Sequence, residues 1–322
     1  MEQTKSTDIR MLNTGAFKRK NRFLTRLLVG FCVVVFFAVF ASVLLHFINI
    51  RKPFSIRYAY AKWNAYDYQA VYTTTSAILQ SKPFNNAALT LHGYAAFFLS
   101  LAEMNTLQAQ AYLDESINNL RVSLFSAPKK SVPQIEYMLG KAYFYKNAMS
   151  SHYYYADLAV QYLLRSHEHG YRANDIPEYL GLSYAALDMT IESIAAFTEA
   201  LLVRESDLLL LSIAEQYYKA GQITAATQYL YRISVDCKDE KIVQKSHILL
   251  AHIAITQEKY AEAEALFLQI LEKNENNADA YYGIGVVYEK QGDVVKARAE
   301  WRKALKVQAN HADALKKLAE YK

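Results

Sequence analysis

ADAYYGIGVVYEKQGDVVKARAEWRKALKVQAN (Ala278–Asn310) carries the pattern that organises this chain. In it Gly285 follows Ile284 and precedes Tyr288 by three; Ala297 comes twelve residues after Gly285, Trp301 four later and Ala304 three later again. Steps of three and four place Ala297, Trp301 and Ala304 on one face of a helix, and Gly292 marks a turn between that helix and the one before it. Working outward, the first half recurs as Leu139-Gly140 with Tyr143, Leu180-Gly181 with Tyr184, Ile213-Ala214 with Tyr217, and a weaker Leu250-Ala251 with Ala254 in place of Tyr. The small residues at 140, 181, 214, 251 and 285 are separated by 41, 33, 37 and 34 residues. The second half recurs too, as Ser193/Phe197, Ala226/Leu230, Ala263/Phe267 and Ala297/Trp301, with Ala200, Ile233, Ile270 and Ala304 three residues on.

This spacing near 34 residues resembles the tetratricopeptide repeat, a pair of antiparallel helices stacked into a right-handed superhelix. The resemblance implies that Gly140, Gly181 and Gly285 permit close approach of the second helix, since glycine otherwise lowers helix propensity by about 1 kcal/mol relative to alanine. Gly221 and Gly292 fall at the turn inside a repeat. The 41-residue step predicts extra chain in the turn around Lys146–Tyr155. Upstream the pattern decays: Gly93 with Ala96 and Phe97, a helix carrying Leu113, Ile117, Leu120 and Leu124, and another reading as Trp63–Ser81.

The 322 residues are 52% apolar and 21% charged, with 10 Gly and 5 Pro, too few turn-formers for a strand-rich sandwich or a Gly/Pro-rich disordered chain. Net charge is +5, and all of that excess lies in residues 1–26, which hold seven basic and two acidic residues. Residues 27–50 (LLVGFCVVVFFAVFASVLLHFINI) contain no Asp, Glu, Lys or Arg, and residues 51–322 hold 29 basic and 29 acidic residues. As a helix 27–50 would span about 36 Å, enough for a hydrocarbon core of about 30 Å. The expectation is an uncleaved anchor with its basic tail in the cytoplasm and the remainder outside, in the periplasm. The fold expected is therefore all-α: a cytoplasmic tail (1–26), a transmembrane helix (27–50), degenerate repeat-like helices (51–132), tetratricopeptide-type repeats (133–311) and a polar capping helix (312–322).

Sites of chemistry are scarce. Gly283-Ile284-Gly285 has Tyr288 where a dinucleotide loop needs a third glycine, and no phosphate loop or H-E-x-x-H zinc motif occurs. Cys32 and Cys237 cannot build a disulfide framework. His167-Glu168-His169 reads as polar surface residues at a helix end, since residues two apart on a helix do not face each other. No catalytic residue, cofactor or metal is expected, and the basic tail is read as membrane-facing, with no nucleic acid partner.

The aromatic content, 26 Tyr and 15 Phe, is the functional signal. By the family resemblance, the first-helix face lines a concave groove, which would hold Tyr137, Lys141, Phe144, Tyr145, Glu215, Tyr218, Tyr282 and Val286. These rings either bind a partner or fill space between repeats. Relatives that hold chaperone C-termini use a groove Lys followed four residues later by Asn. The matching pairs here are Tyr137/Lys141, Glu178/Leu182, Leu211/Glu215, Ile248/His252 and Tyr282/Val286, none of them Lys/Asn. The expectation is a non-catalytic membrane-anchored scaffold binding a protein or peptide at the extracytoplasmic face, assisting secretion or envelope assembly. The alternatives are a cytosol-facing receptor of the same fold, or an enzyme or regulator with a site between helices. Oligomeric state is left open.

Overall fold

The computed structural model describes residues 30–44, 54–150, 155–233 and 237–321. They form helices and turns, with no strand among the described residues. Two compact units divide at Leu99/Ser100.

The first unit contains α1 (residues 30–44), α2 (Ile56–Asn64), α3 (Tyr68–Ser81) and most of α4 (Asn86–Ala102). Its core is Ala59, Val71, Leu91 and Ala95, ringed by Ile56, Trp63, Tyr68 and Tyr72. Trp63 lies 5.4–5.8 Å from the rings of Tyr68, Tyr94 and Phe98, and Tyr68 stacks on Phe98 at 4.5 Å. The single helix expected over Trp63–Ser81 is two. Asp67 ends the first by pairing with Lys62 at 2.9 Å and begins the second by accepting the Ala70 N–H at 3.1 Å. Between them Tyr66 takes the left-handed conformation, φ +58°.

The membrane anchor expected at 27–50 is corrected. Only residues 30–44 of it are described, as α1, and 1–29 and 45–53 lie outside the described residues. No helix among the described residues is long and apolar enough to cross a membrane. With the span goes its consequence, the placement of a tail in the cytoplasm and of the repeats in the periplasm. The basic tail itself falls outside the described residues.

The second unit runs from Ser100 and holds the array. It comprises α5 (Thr106–Leu124), α6 (Val132–Met149), α7 (Ala156–Glu168), α8 (Ile176–Ala186), α9 (Thr190–Val203), α10 (Asp207–Lys219), α11 (Ile223–Arg232), α12 (Glu240–Thr256), α13 (Tyr260–Lys273), α14 (Ala278–Lys290), α15 (Val294–Val307) and α16 (Ala312–Glu320). Hairpins α6–α7, α8–α9, α10–α11, α12–α13 and α14–α15 are joined in series, each second helix packing on the next first helix. Pro133 and Pro177 sit in the first turns of α6 and α8, where a missing N–H costs little.

Within a hairpin the expected pairs meet. A methyl group on Gly181 would overlap the Phe197 ring, on Gly285 the Trp301 ring, and on Gly140 the Leu163 side chain. Phe197, Phe267, Trp301 and Leu163 are all essentially inaccessible to solvent. Ser193 adds a hydrogen bond across the pair, donating to the Gly181 carbonyl at 2.8 Å. The seven extra residues of the 41-residue step displace the second half of that repeat as a block, so Ala159, Leu163 and Ser166 occupy the small–bulky–small positions. Part of the excess is helix, because α6 continues to Met149; 151–154 of the expected turn lie outside the described residues.

The turn inside a hairpin of 33–37-residue spacing needs one left-handed residue just past the first helix. In the four hairpins from α8 onward it is Gly221 (φ +73°) and Gly292 (φ +87°) as expected, but Asp188 (φ +60°) and Glu258 (φ +61°) in the other two. Each falls seven residues after its repeat's small residue. Left-handed backbone costs an L-residue about 1–2 kcal/mol, partly offset by the entropy glycine loses on folding. Exposed Glu258 is the clean test. Glu258→Gly is expected to raise unfolding free energy by about 0.5–1 kcal/mol and Gly292→Ala to lower it by about 1 kcal/mol, read as shifts in urea midpoint at constant slope. A lower midpoint for Glu258→Gly would show that the turn is not under backbone strain.

Candidate functional site

The first helices α6, α8, α10, α12 and α14 touch one another in succession, so their shared face is continuous along the array. On α6, Tyr137, Lys141, Phe144 and Tyr145 follow at steps of four, three and one, which aligns them along one side of the helix. Asp175 stands at the start of α8 but makes no capping bond with its side chain. Its carboxylate instead reaches α6, accepting the Tyr137 hydroxyl at 2.7–2.8 Å and the Lys141 ammonium at 2.9 Å. Lys141 also donates to the Tyr137 oxygen at 3.1 Å, and its ammonium lies 5.1 Å from the centre of the Tyr137 ring and 4.8 Å from that of Tyr179.

Further along, the hydroxyls of Tyr145 and Tyr179 are 3.1 Å apart. Phe144 meets Tyr145 edge-on at 5.3 Å and Tyr179 at 4.9 Å. Burial, then the Asp175 hydrogen bond, pushes the Tyr137 phenol far above its usual range; burial, then the bond to Tyr145, does the same for Tyr179. Both therefore stay protonated, and Tyr137 donates to Asp175. Beside them opens a cavity of about 660 Å³ walled by Phe144, Tyr145, Tyr179, Leu182, Ala200 and Val203, with Asp175, Glu178 and Arg204 also lining it. Arg204 reaches Glu178 over 3.4 Å with its side chain 72% exposed.

The other expected groove residues do not join this cluster. Glu215 and Tyr218 lie on α10. Tyr218 packs half-buried against the core of its own hairpin. Glu215 reaches solvent, yet its surroundings desolvate the carboxyl and push it above the usual range, with Lys245 of α12 opposing. Tyr282 and Val286 lie on α14 and are half-buried against neighbouring cores. Tyr282 is also covered by the end of the array, its ring 5.3 Å from that of His311. His311 caps α16, accepting the Ala314 N–H on Nδ1 at 3.2 Å; the proton is thus on Nε2, which donates to Asp279 at 3.1 Å. Burial disfavours charge on Glu289, but hydrogen bonds from Lys317 and Tyr321 of the terminal segment more than offset it and hold its carboxyl below the usual range.

Asp175, Glu178, Tyr179, Leu182 and Arg204 complete the site, beyond the groove residues that the sequence singles out. Glu178 and Leu182 do hold the groove positions of their repeat, which was the available signal. Asp175 and Arg204 lie outside the helical frame and carried none. The His167-Glu168-His169 run is exposed, as its reading as surface residues at a helix end expects, and His169 additionally pairs through Nδ1 with the buried Glu136 carboxylate at 2.6 Å. Among the described residues, no group of three or more His, Cys, Asp or Glu side chains is placed to hold a metal ion. Burial raises the Cys237 thiol above its ordinary range, away from nucleophilic character.

Comparison with known proteins agrees with the architecture. A family model described as the C-terminal ARM domain of tetratricopeptide repeat protein 21 matches residues 167–319. A TPR repeat-containing protein of Methanocaldococcus jannaschii is 28% identical over 169 residues, 51% of this chain and 28% of that protein, so the match spans little more than a quarter of the relative. Two solved structures show the same fold. The C-terminal part of a TPR repeat-containing protein from Cytophaga hutchinsonii has TM-score 0.55 and 14% identity, covering 82% of this chain and 99% of that one. A tetratricopeptide repeat protein from Parabacteroides merdae has TM-score 0.51 and 17% identity, covering 82% and 96%. The fold is a tetratricopeptide-type helical solenoid.

Tyr137→Phe removes a hydrogen bond to a carboxylate in a half-buried setting and is expected to cost about 1–2 kcal/mol, measured by urea denaturation; no change would mean that water replaces the hydroxyl. Glu215 supplies a pH test. A carboxyl raised on folding favours the folded state below its unfolded value, and that contribution is lost as pH rises through the raised folded value. Glu215→Gln should therefore stabilise the chain at pH 7 and lose that advantage near pH 4. Equal thermal midpoints of the two proteins across that window would contradict the desolvated carboxylate.

Proposed function

We propose that this chain is a non-catalytic scaffold that binds a protein or peptide segment along the face shared by α6, α8, α10, α12 and α14. The observation that carries the reading is the open cavity beside the Phe144–Tyr145–Tyr179 cluster. There, half-buried rings with polar tips border an unfilled space large enough for side chains of an extended segment. The fold supports it as well. A first-helix face left uncovered by second helices is a preformed groove, so little ordering entropy opposes binding. Tyr218 and Glu215 extend the face onto α10, and the partly desolvated Glu215 carboxylate, only partly offset by Lys245, is the kind of group that a cationic partner would relieve. Tyr282 and Val286 form the far end, where α16 already covers part of the surface.

The test compares faces of one protein. A photo-crosslinking residue placed at Tyr218 is expected to give partner adducts, while the same residue at Ile191 or Val295, exposed on second helices α9 and α15, gives few. Tyr145→Ala combined with a crosslinker at Ser212 of α10 should cut the adducts while the melting temperature moves by less than about 3 °C. Equal yields on both faces would end the groove reading. A collapse of the melting temperature would reassign Tyr145 to the core.

A further inference from the structure

From the groups around the α6–α8 cavity we infer that it is a receptor for a basic side chain, arginine above all, on the bound segment. The inference rests on the groove reading and specifies its ligand.

The charge arrangement points this way. A carboxylate-bearing ligand would look for Lys141 or Arg204, but the Lys141 ammonium is committed to Asp175 at 2.9 Å and to the Tyr137 oxygen at 3.1 Å, on the ring faces of Tyr137 and Tyr179, and drawing Arg204 away would leave the less exposed Glu178 carboxylate without its counter-charge. A purely apolar ligand would strip water from two carboxylates that line the space, Asp175 and Glu178, which costs free energy that it could not return. A cation suits both constraints. Glu178, with its side chain 28% exposed, is the receptor anion, and its partner within the chain is Arg204, which reaches it over 3.4 Å while 72% exposed. An exposed pair of that geometry contributes little and is easily exchanged. Arg204 therefore occupies the position of the ligand: the chain supplies its own guanidinium to the anion until another arrives.

The rings complete the receptor. Phe144, Tyr145 and Tyr179 meet at 4.9–6.1 Å between centroids and wall the same space. Aromatic faces attract cations, and Lys141 over Tyr179 shows one such contact already made inside the protein. A guanidinium both stacks on rings and forks onto a carboxylate, whereas an ammonium does only part of this. This assignment differs from a carboxylate-holding groove in the sign of the charge recognised.

The experiment uses the full chain and four short labelled Gly/Ser peptides, each bearing one central residue: Arg, citrulline, Leu or Glu. Fluorescence anisotropy should show the Arg peptide binding about 10-fold more tightly than its neutral isostere citrulline, in keeping with one desolvated charge contact. Glu178→Gln should remove that preference. Arg204→Ala should strengthen Arg-peptide binding by about 3-fold by removing the internal competitor, a gain that misfolding cannot mimic. Citrulline or Leu binding as well as Arg, preference for Glu, or weaker binding by Arg204→Ala each overturns the inference. The groove reading falls separately, through the crosslinking comparison of Tyr218 with Ile191 and Val295.

Discussion

The structure of the array depends on how closely two helices approach within each hairpin. At the crossing a small residue of the first helix must face a bulky residue of the second: Gly140 against Leu163, Gly181 against Phe197, Gly285 against Trp301. A single added methyl overlaps the opposing side chain in each case, and overpacking of that kind typically costs about 1–3 kcal/mol. The same constraint acts between repeats, because the Phe267 ring also fills the space above Gly283 of the next first helix. Gly283 and Gly285, two residues apart, thus serve two different neighbours. Packing with this spacing leaves the first helices in contact on their remaining face, and the site follows from that arrangement.

Charge is used between neighbours in the same way. Lys141–Asp175, Lys219–Asp188, Arg232–Glu205 and Lys317–Glu289 each join one hairpin to an adjacent element. Exposed pairs of this kind contribute little individually, on the order of 0–1 kcal/mol. They sit in a stretch, residues 51–322, that balances at 29 basic and 29 acidic. The Lys141–Asp175 pair, being less exposed and reinforced by Tyr137, fixes the relation between α6 and α8 where the cavity opens.

Much of the fold was legible because small and bulky residues recur at fixed spacing, and that spacing is a direct imprint of helix crossing. What was not legible lacked a distinctive residue type. Asp188 and Glu258 occupy left-handed turns without being glycine, and the break at Tyr66 follows from Asp67 serving two helices at once. The second half of the 41-residue repeat was hidden by its displacement, although Ala159, Leu163 and Ser166 keep the pattern. For 27–50, hydropathy alone suggested a membrane span, whereas no helix among the described residues is long and apolar enough to cross a membrane. At the site, α6 residues were readable as one helical face. Their partners were not, because the pairing of Tyr137 with Asp175 and of Tyr145 with Tyr179 bridges 38 and 34 residues, a relation set by stacking between hairpins and not by periodicity within one.

The chain contains two tryptophans, and the fold gives one to each compact unit. Trp63 is half-buried among Tyr68, Tyr94 and Phe98, whereas Trp301 is sealed between α14 and α15 beneath Tyr321. The two indoles therefore differ in polarity and in quenching surroundings. Intrinsic fluorescence resolves the protein into two optical signals, and a Trp63→Phe chain reports solely on the last hairpin of the array, whose loosening appears as a red shift of emission.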